Sequence, residues 1–151
     1  MYLFDKVLVP TDFGPAAWNA IKIAIDICRD GSSSITLLHI FPSSARFDKK
    51  TRRVKIEDNQ EMERIKQKMK ALCDELTKGK NLIIDSVILK GWVEEEILDF
   101  IKKNKFDLVV MGVNSNGLDN RPGSHITKMI ERTSTPLMII PNTLVKEAVN
   151  S

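Results

Sequence analysis

Short runs of consecutive apolar residues alternate along this chain with longer stretches in which apolar residues return every third or fourth position. The runs are Leu3 to Val9, Ile35 to Phe41, Ile83 to Leu89, Asp107 to Met111 and Leu137 to Ile140. Each has strand length and is bounded by turn formers or a polar stretch. Between them the period is helical. Gly14-Pro15 opens a first helix with Trp18, Ile21, Ala24, Ile25 and Cys28 on one face, ended by Gly31. Pro15 suits a first helical turn, where its missing N–H costs little. From Glu57 a second stripe of Met62, Ile65, Met69, Leu72, Cys73 and Leu76 runs toward Gly79. Gly91-Trp92 turns the chain into a third helix, with Val93, Ile97, Phe100 and Ile101 inward and Glu94, Glu95 and Glu96 where negative charge complements the helix dipole. Residues 124–133 form a fourth.

Strand and helix thus alternate throughout, and most strands are continuous apolar runs, the mark of a parallel sheet covered on both faces. Five such strands joined by right-handed crossovers make a doubly wound α/β sandwich. The 151 residues suit one domain, taken as 1–142 with a C-terminal tail at 143–151. No apolar run approaches the roughly 20 residues of a membrane span, and the N-terminus meets an acid at Asp5 and a proline at Pro10, unlike a signal peptide. Cys28 and Cys73 lie in helical patterns with no CxxC partner, which fits a reducing, cytoplasmic setting.

The net charge of +3 is unevenly spread. Between 43 and 56, Arg46, Lys49, Lys50, Arg52, Arg53 and Lys55 face one acid, Asp48, so this stretch carries +5 and the remainder −2. The sequence pI of about 8.9 is a property of that segment. With Phe47 as its only aromatic residue, the stretch lacks the stacking platform of single-strand binders. It reads as a solvated connector, with nucleic acid an unlikely partner, while its departure from the second strand on the ligand side leaves open a supporting role near a nucleotide.

In a doubly wound sheet, ligands sit beyond the carboxyl ends of the strands where strand order reverses. That directs attention to Val9-Pro10-Thr11-Asp12-Phe13-Gly14 after the first strand and to 112–124, Gly-Val-Asn-Ser-Asn-Gly-Leu-Asp-Asn-Arg-Pro-Gly-Ser, after the fourth. The second of these is a strand, a glycine-bearing loop and a helix start, which together point free N–H groups and a positive dipole end at an anion. Asp12 suits either a ribose hydroxyl or cation, or the cap of the helix that follows. Ser124 is an N-cap that the preceding strand and glycines also place at phosphate. His39 and His125 have no matched ligand cluster, so a zinc-type site is rejected. There is no Gly-Lys-[Ser/Thr] phosphate loop and no nucleophile elbow. Nor is there a well-placed general base, so the chain reads as no dedicated enzyme, with weak hydrolysis at most.

Several motifs carry a resemblance. Pro10-Thr11-Asp12-Phe13, Leu37-Leu38-His39-Ile40, Gly91 before a Glu-rich helix and Met111-Gly112 after Asp107-Leu108-Val109-Val110 resemble the universal stress protein (UspA-like) family. So does Gly123-Ser124 followed by Ser134-Thr135-Pro136-Leu137-Met138-Ile139-Ile140-Pro141, and the likeness runs from about Phe4 to Pro141. It implies a flavodoxin-like, adenine nucleotide alpha hydrolase-like fold of strand order 3-2-1-4-5. It also implies an ATP site with Mg²⁺, a homodimer and a stress-response role. By that resemblance Pro10, Thr11 and Asp12 line the site, with Asp12 toward ribose and metal, and the Ile40 backbone meets adenine. Gly112 starts the phosphate loop, Asn114, Ser115 and Gly117 lie along it, and Gly123, Ser124 and His125 close it at the helix start. The edge strand 137–140, four apolar residues, is where a second copy is expected to pair.

The loop departs from the family's Gly-x2-Gly-x9-Gly-[Ser/Thr] pattern. Counted from Gly112, the second glycine position holds Ser115, and the last glycine, Gly123, arrives two residues early behind Pro122. A serine where φ must be positive costs on the order of 1 kcal/mol, and Pro122 removes an N–H donor. Each lost phosphate hydrogen bond costs about 1–3 kcal/mol, one to two decades of affinity. Gly117 and the asparagines 114, 116 and 120 are the residues able to compensate, since Asn tolerates left-handed backbone. The alternative reading is a UspA-like regulatory interaction protein that has lost ATP through this shortened loop.

Overall fold

In the computed structural model, residues 4–28, 33–42, 47–48, 53–54, 56–113 and 124–141 are described. In chain order the elements are β1 (Lys6–Pro10), α1 (Pro15–Ile27), β2 (Ser34–Pro42), β3 (Phe47–Asp48), β4 (Arg53–Val54), α2 (Ile56–Thr77), β5 (Ile83–Gly91), α3 (Val93–Asn104), β6 (Leu108–Val113), α4 (Ser124–Arg132) and β7 (Leu137–Pro141). Five strands form one all-parallel sheet, ordered β5-β2-β1-β6-β7. Numbered among themselves, these strands follow the expected 3-2-1-4-5 order.

Why the strand runs are apolar on successive residues is evident from where the side chains go. Val7, Val9, Ile35, Leu37, Leu108 and Val110 pack on one face with Ala20, Ile21 and Ala24 of α1 and Met69 and Leu76 of α2. The residues between them, Leu8, Leu38, Ile40, Val109 and Met111, pack on the other with Ile97, Leu98 and Ile101 of α3 and Met129 of α4. Both faces are dry, so alternation with polar residues has no place. Lys128 of α4 joins Glu94 of α3 at 3.1 Å, tying the two helices on the second face.

Several boundaries and faces differ from the sequence expectation. β1 begins at Lys6, and Asp107 explains why: its carboxylate accepts from the backbone N–H groups of Asp5 and Lys6, both at 2.9 Å, so the chain before β1 is turned by a side chain. α1 ends at Ile27 with Cys28 as its cap, ahead of Gly31, which lies outside the described residues. Trp18 is 38% exposed and is not a core residue. The buried face of α1 is instead built around Ile21 and four alanines, Ala16, Ala17, Ala20 and Ala24, whose small side chains let the helix lie close to the sheet. α3 stops without glycine: Lys105 takes the left-handed conformation at φ 51° and donates to the Ile101 carbonyl. Within the basic stretch, Phe47–Asp48 and Arg53–Val54 pair as a two-residue antiparallel ladder that the charge pattern concealed.

Candidate functional site

Strand order reverses between β1 and β6, and the loop after β1 lies at that point. Pro10 is the last residue of β1, opposite Leu38 in the register. Thr11 is buried, and its N–H donates to the Leu38 carbonyl at 2.8 Å, so the chain stays fastened to β2 one residue past the strand. The Thr11 carbonyl accepts from His39 Nδ1, also at 2.8 Å, a second tie to β2. A carbonyl can only accept, so this bond places the proton on Nδ1. Thr11 Oγ1 accepts from the Phe13 N–H at 3.0 Å.

Phe13 adopts φ 65°, left-handed backbone for a bulky non-glycine residue. Such a conformation costs on the order of 1–3 kcal/mol and persists only where the surroundings over-determine it. They do so here: the His39 ring lies 4.9 Å from the Phe13 ring and the Lys68 ammonium sits over it at 4.6 Å. The turn at Phe13 leaves Asp12 exposed, with Oδ1 accepting from the Gly14 N–H at 2.8 Å. Gly14, rather than Asp12, is the N-cap of α1. The carboxylate therefore shapes the turn before the helix while its second oxygen has no partner among the described residues.

Gly112 shows its reason in packing. A Cβ at this position would stand 2.1 Å from the Ala16 carbonyl oxygen and 2.8 Å from the Ala17 nitrogen. Only glycine lets the first turn of α1 rest on the end of β6, and this contact brings the Asp12 loop beside the start of the 112–124 segment. Ile40 is 6% exposed with its side chain in the core, so its backbone is the part left for a ligand. Asn114, Ser115, Gly117 and Gly123 lie outside the described residues. Ser124 is the first residue of α4, which places a helix N-terminus at the far end of the loop, and His125 is the second. Among the described residues no group of three or more His, Cys, Asp or Glu side chains gathers to hold a metal ion.

Sequence reading identified Pro10, Thr11, Asp12, Ile40 and Gly112 as parts of one end of the sheet, and the fold brings their strands together. It missed Lys68, which reaches the site from α2 and carries no local signal. It also missed the strained backbone of Phe13, since neither glycine nor asparagine marks the position. Trp92, the N-cap of α3, is 63% exposed just past the carboxyl end of β5.

Known proteins share this fold. A universal stress protein of Methanocaldococcus jannaschii, MJ0531, is 22% identical over 148 residues, covering 91% of this chain and 82% of its own. The structure of hypothetical protein MJ0577 superposes with a TM-score of 0.80 at 23% identity, covering 92% of this chain and 96% of that one. A universal stress protein family member from Arabidopsis thaliana, solved with AMP bound, has a TM-score of 0.62 at 19% identity, covering 94% of each chain. Another universal stress protein, in complex with cAMP, has a TM-score of 0.64 at 15% identity, covering 91% of this chain and 97% of its own. At these identities the structures establish the fold. The model of the universal stress protein family matches residues 3–141, nearly the whole chain, and the chain belongs to that family.

Proposed function

We propose that this chain binds an adenine nucleotide, ATP with Mg²⁺, at the carboxyl end of β1, and acts in the cytoplasm as a homodimer in a stress-response or regulatory role. The observation that carries the reading is the loop after β1. Its strained Phe13 and its two ties to β2 hold Asp12 open to solvent at the switch point, beside Gly112. Strain held in place by surrounding contacts is characteristic of ligand sites. Relatives solved with AMP and with cAMP support adenine nucleotides as the ligand class.

In this reading Pro10 and Thr11 border the nucleoside, Asp12 faces the ribose and metal, and the backbone of Ile40 meets the base. Gly112, Asn114, Ser115 and Gly117, then Gly123, Ser124 and His125, carry the phosphates toward the N-terminus of α4, where the helix dipole favours an anion. Mg²⁺ takes one or two carboxylates together with phosphate oxygens. A single exposed Asp12 fits that donor set; the cation would neutralise phosphate charge. Titration calorimetry with ATP and Mg²⁺ tests the proposal: saturable heat and a raised Tm are expected, and neither at millimolar nucleotide would overturn it.

The replacement of glycine by Ser115, the loop two residues short and Pro122 favour a second reading, a regulatory interaction protein without nucleotide. That reading expects no heat with ATP while self-association persists.

A further inference from the structure

At the end of the sheet opposite Asp12, a cavity of about 370 Å³ opens between the C-terminal turns of α3 and α4. The six residues of β6 separate it from the nucleotide end by about 20 Å. Its floor is apolar: Leu98 and Ile101 from α3, and Phe106 just before β6. Its rim is cationic, made by Lys102, Lys105 and Arg132. The turn 133–135, Thr-Ser-Thr, supplies the remaining wall with hydroxyl groups. Among the described residues no carboxylate lines it.

Glu131, next to Arg132 in the sequence, does not line the cavity, and two nearby acids are engaged elsewhere. Asp99 pairs with Lys103 at 2.9 Å, and Asp107 accepts the backbone N–H groups before β1. Among the described residues, none of the three rim cations has a carboxylate partner. Cations at helix C-termini complement the dipole, which is the simplest account of them. The magnitudes leave a surplus, however: two helix ends contribute about −0.5 charge each, whereas the rim brings three positive charges. A net positive rim above an apolar floor, of a volume near the lower end of ligand pockets, suits a small ligand with a charged head and a compact hydrophobic body.

We propose that this cavity is a second binding site, for a small organic anion: a carboxylate or phosphate monoester carried on an apolar ring or short chain. The head is held by Arg132, Lys102 and Lys105 with the hydroxyls of 133–135, and the body rests on Phe106 and Ile101. Arg132 offers a fork that fits either oxyanion.

Two-dimensional amide NMR of the full chain, titrated with phenyl phosphate, benzoate, inorganic phosphate and benzyl alcohol, tests this. The two aromatic anions are expected to move the amides of Lys105, Phe106 and 133–135 saturably, with Kd below ~10 mM. Inorganic phosphate, lacking the body, and benzyl alcohol, lacking the charge, are each expected to bind at least tenfold more weakly. Preference of phenyl phosphate over benzoate, or the reverse, assigns the head group. Arg132→Glu and Lys102→Ala should each weaken the aromatic anions fivefold or more, while the spectrum elsewhere and the response to ATP with Mg²⁺ stay as in the wild type. Equal binding of benzyl alcohol, insensitivity to both substitutions, or no saturable shift at these amides would overturn the proposal. The site does not depend on nucleotide binding, so failure of one leaves the other standing.

Discussion

Three residues show how little freedom the ligand end of the sheet has. Gly112 admits no side chain, because a methyl group would meet the backbone of Ala16 well inside contact distance. Overpacking of this kind costs about 1–3 kcal/mol and more where backbone is struck. Gly112→Ala is expected to lose about 3 kcal/mol, read as a lower urea midpoint with unchanged m-value. Asp12 has two separable tasks. Asp12→Asn keeps an oxygen for the Gly14 N–H, so stability should stay within about 0.5 kcal/mol while the Mg²⁺ dependence of ATP binding is lost. Asp12→Ala removes the hydrogen bond too and should cost about 1 kcal/mol in addition. Calorimetry and denaturation of the pair separate the roles. Burial pushes the Cys73 thiol above its usual range, helped by Asp74 and Asp85 and opposed by a hydrogen bond with Ser86. The folded state therefore holds the proton to higher pH than the unfolded chain does. Stability from this thiol is present below the unfolded pKa and is lost as pH rises through the raised folded value. Urea midpoints should fall above about pH 9, and less steeply in Cys73→Ala.

Among the elements, α1 and β7 bear most on function. α1 turns its alanines to the sheet and leaves Trp18 outside under Lys22, whose ammonium lies 5.1 Å from the indole ring. Helical spacing puts Trp18 on the same face as Ile21, Ala24 and Cys28. The close approach at Gly112 selects small residues instead. Among the described residues β7 pairs only with β6, which places it at the edge of the sheet. Its side chains are already committed: Met138 packs on one face of the sheet, Leu137 and Ile139 on the other, and Ile140 is buried. A partner strand would thus bind mainly by backbone hydrogen bonds. Sedimentation equilibrium at tens of micromolar is expected to show a dimer; monomer alone would remove the edge-strand proposal.

For the molecule as a whole, the layered core holds the loop after β1 beside the end of β6 at one end of the sheet and leaves a cationic cavity at the other. Whether the first end holds ATP depends on the 112–124 loop. Ser115→Gly should relieve about 1 kcal/mol and tighten ATP roughly fivefold by calorimetry. An unchanged Kd would show that position 115 does not need left-handed backbone.

The sequence alone determined the number of large-sheet strands and their parallel, doubly wound arrangement, since continuous apolar runs and helical stripes are local signals and the right-handed crossover limits how they assemble; their order was implied only by the family resemblance of its motifs. It also marked Pro10, Thr11, Asp12 and Gly112 as neighbours at the switch point. Contacts between distant segments leave no period in the chain. Only the tertiary structure decided that Gly112 is glycine so that α1 can approach, and that Gly14 caps α1 while Asp12 shapes the turn. It alone placed His39 and Lys68 against a strained Phe13, because those constraints exist only once β1, β2, α1 and α2 are packed together.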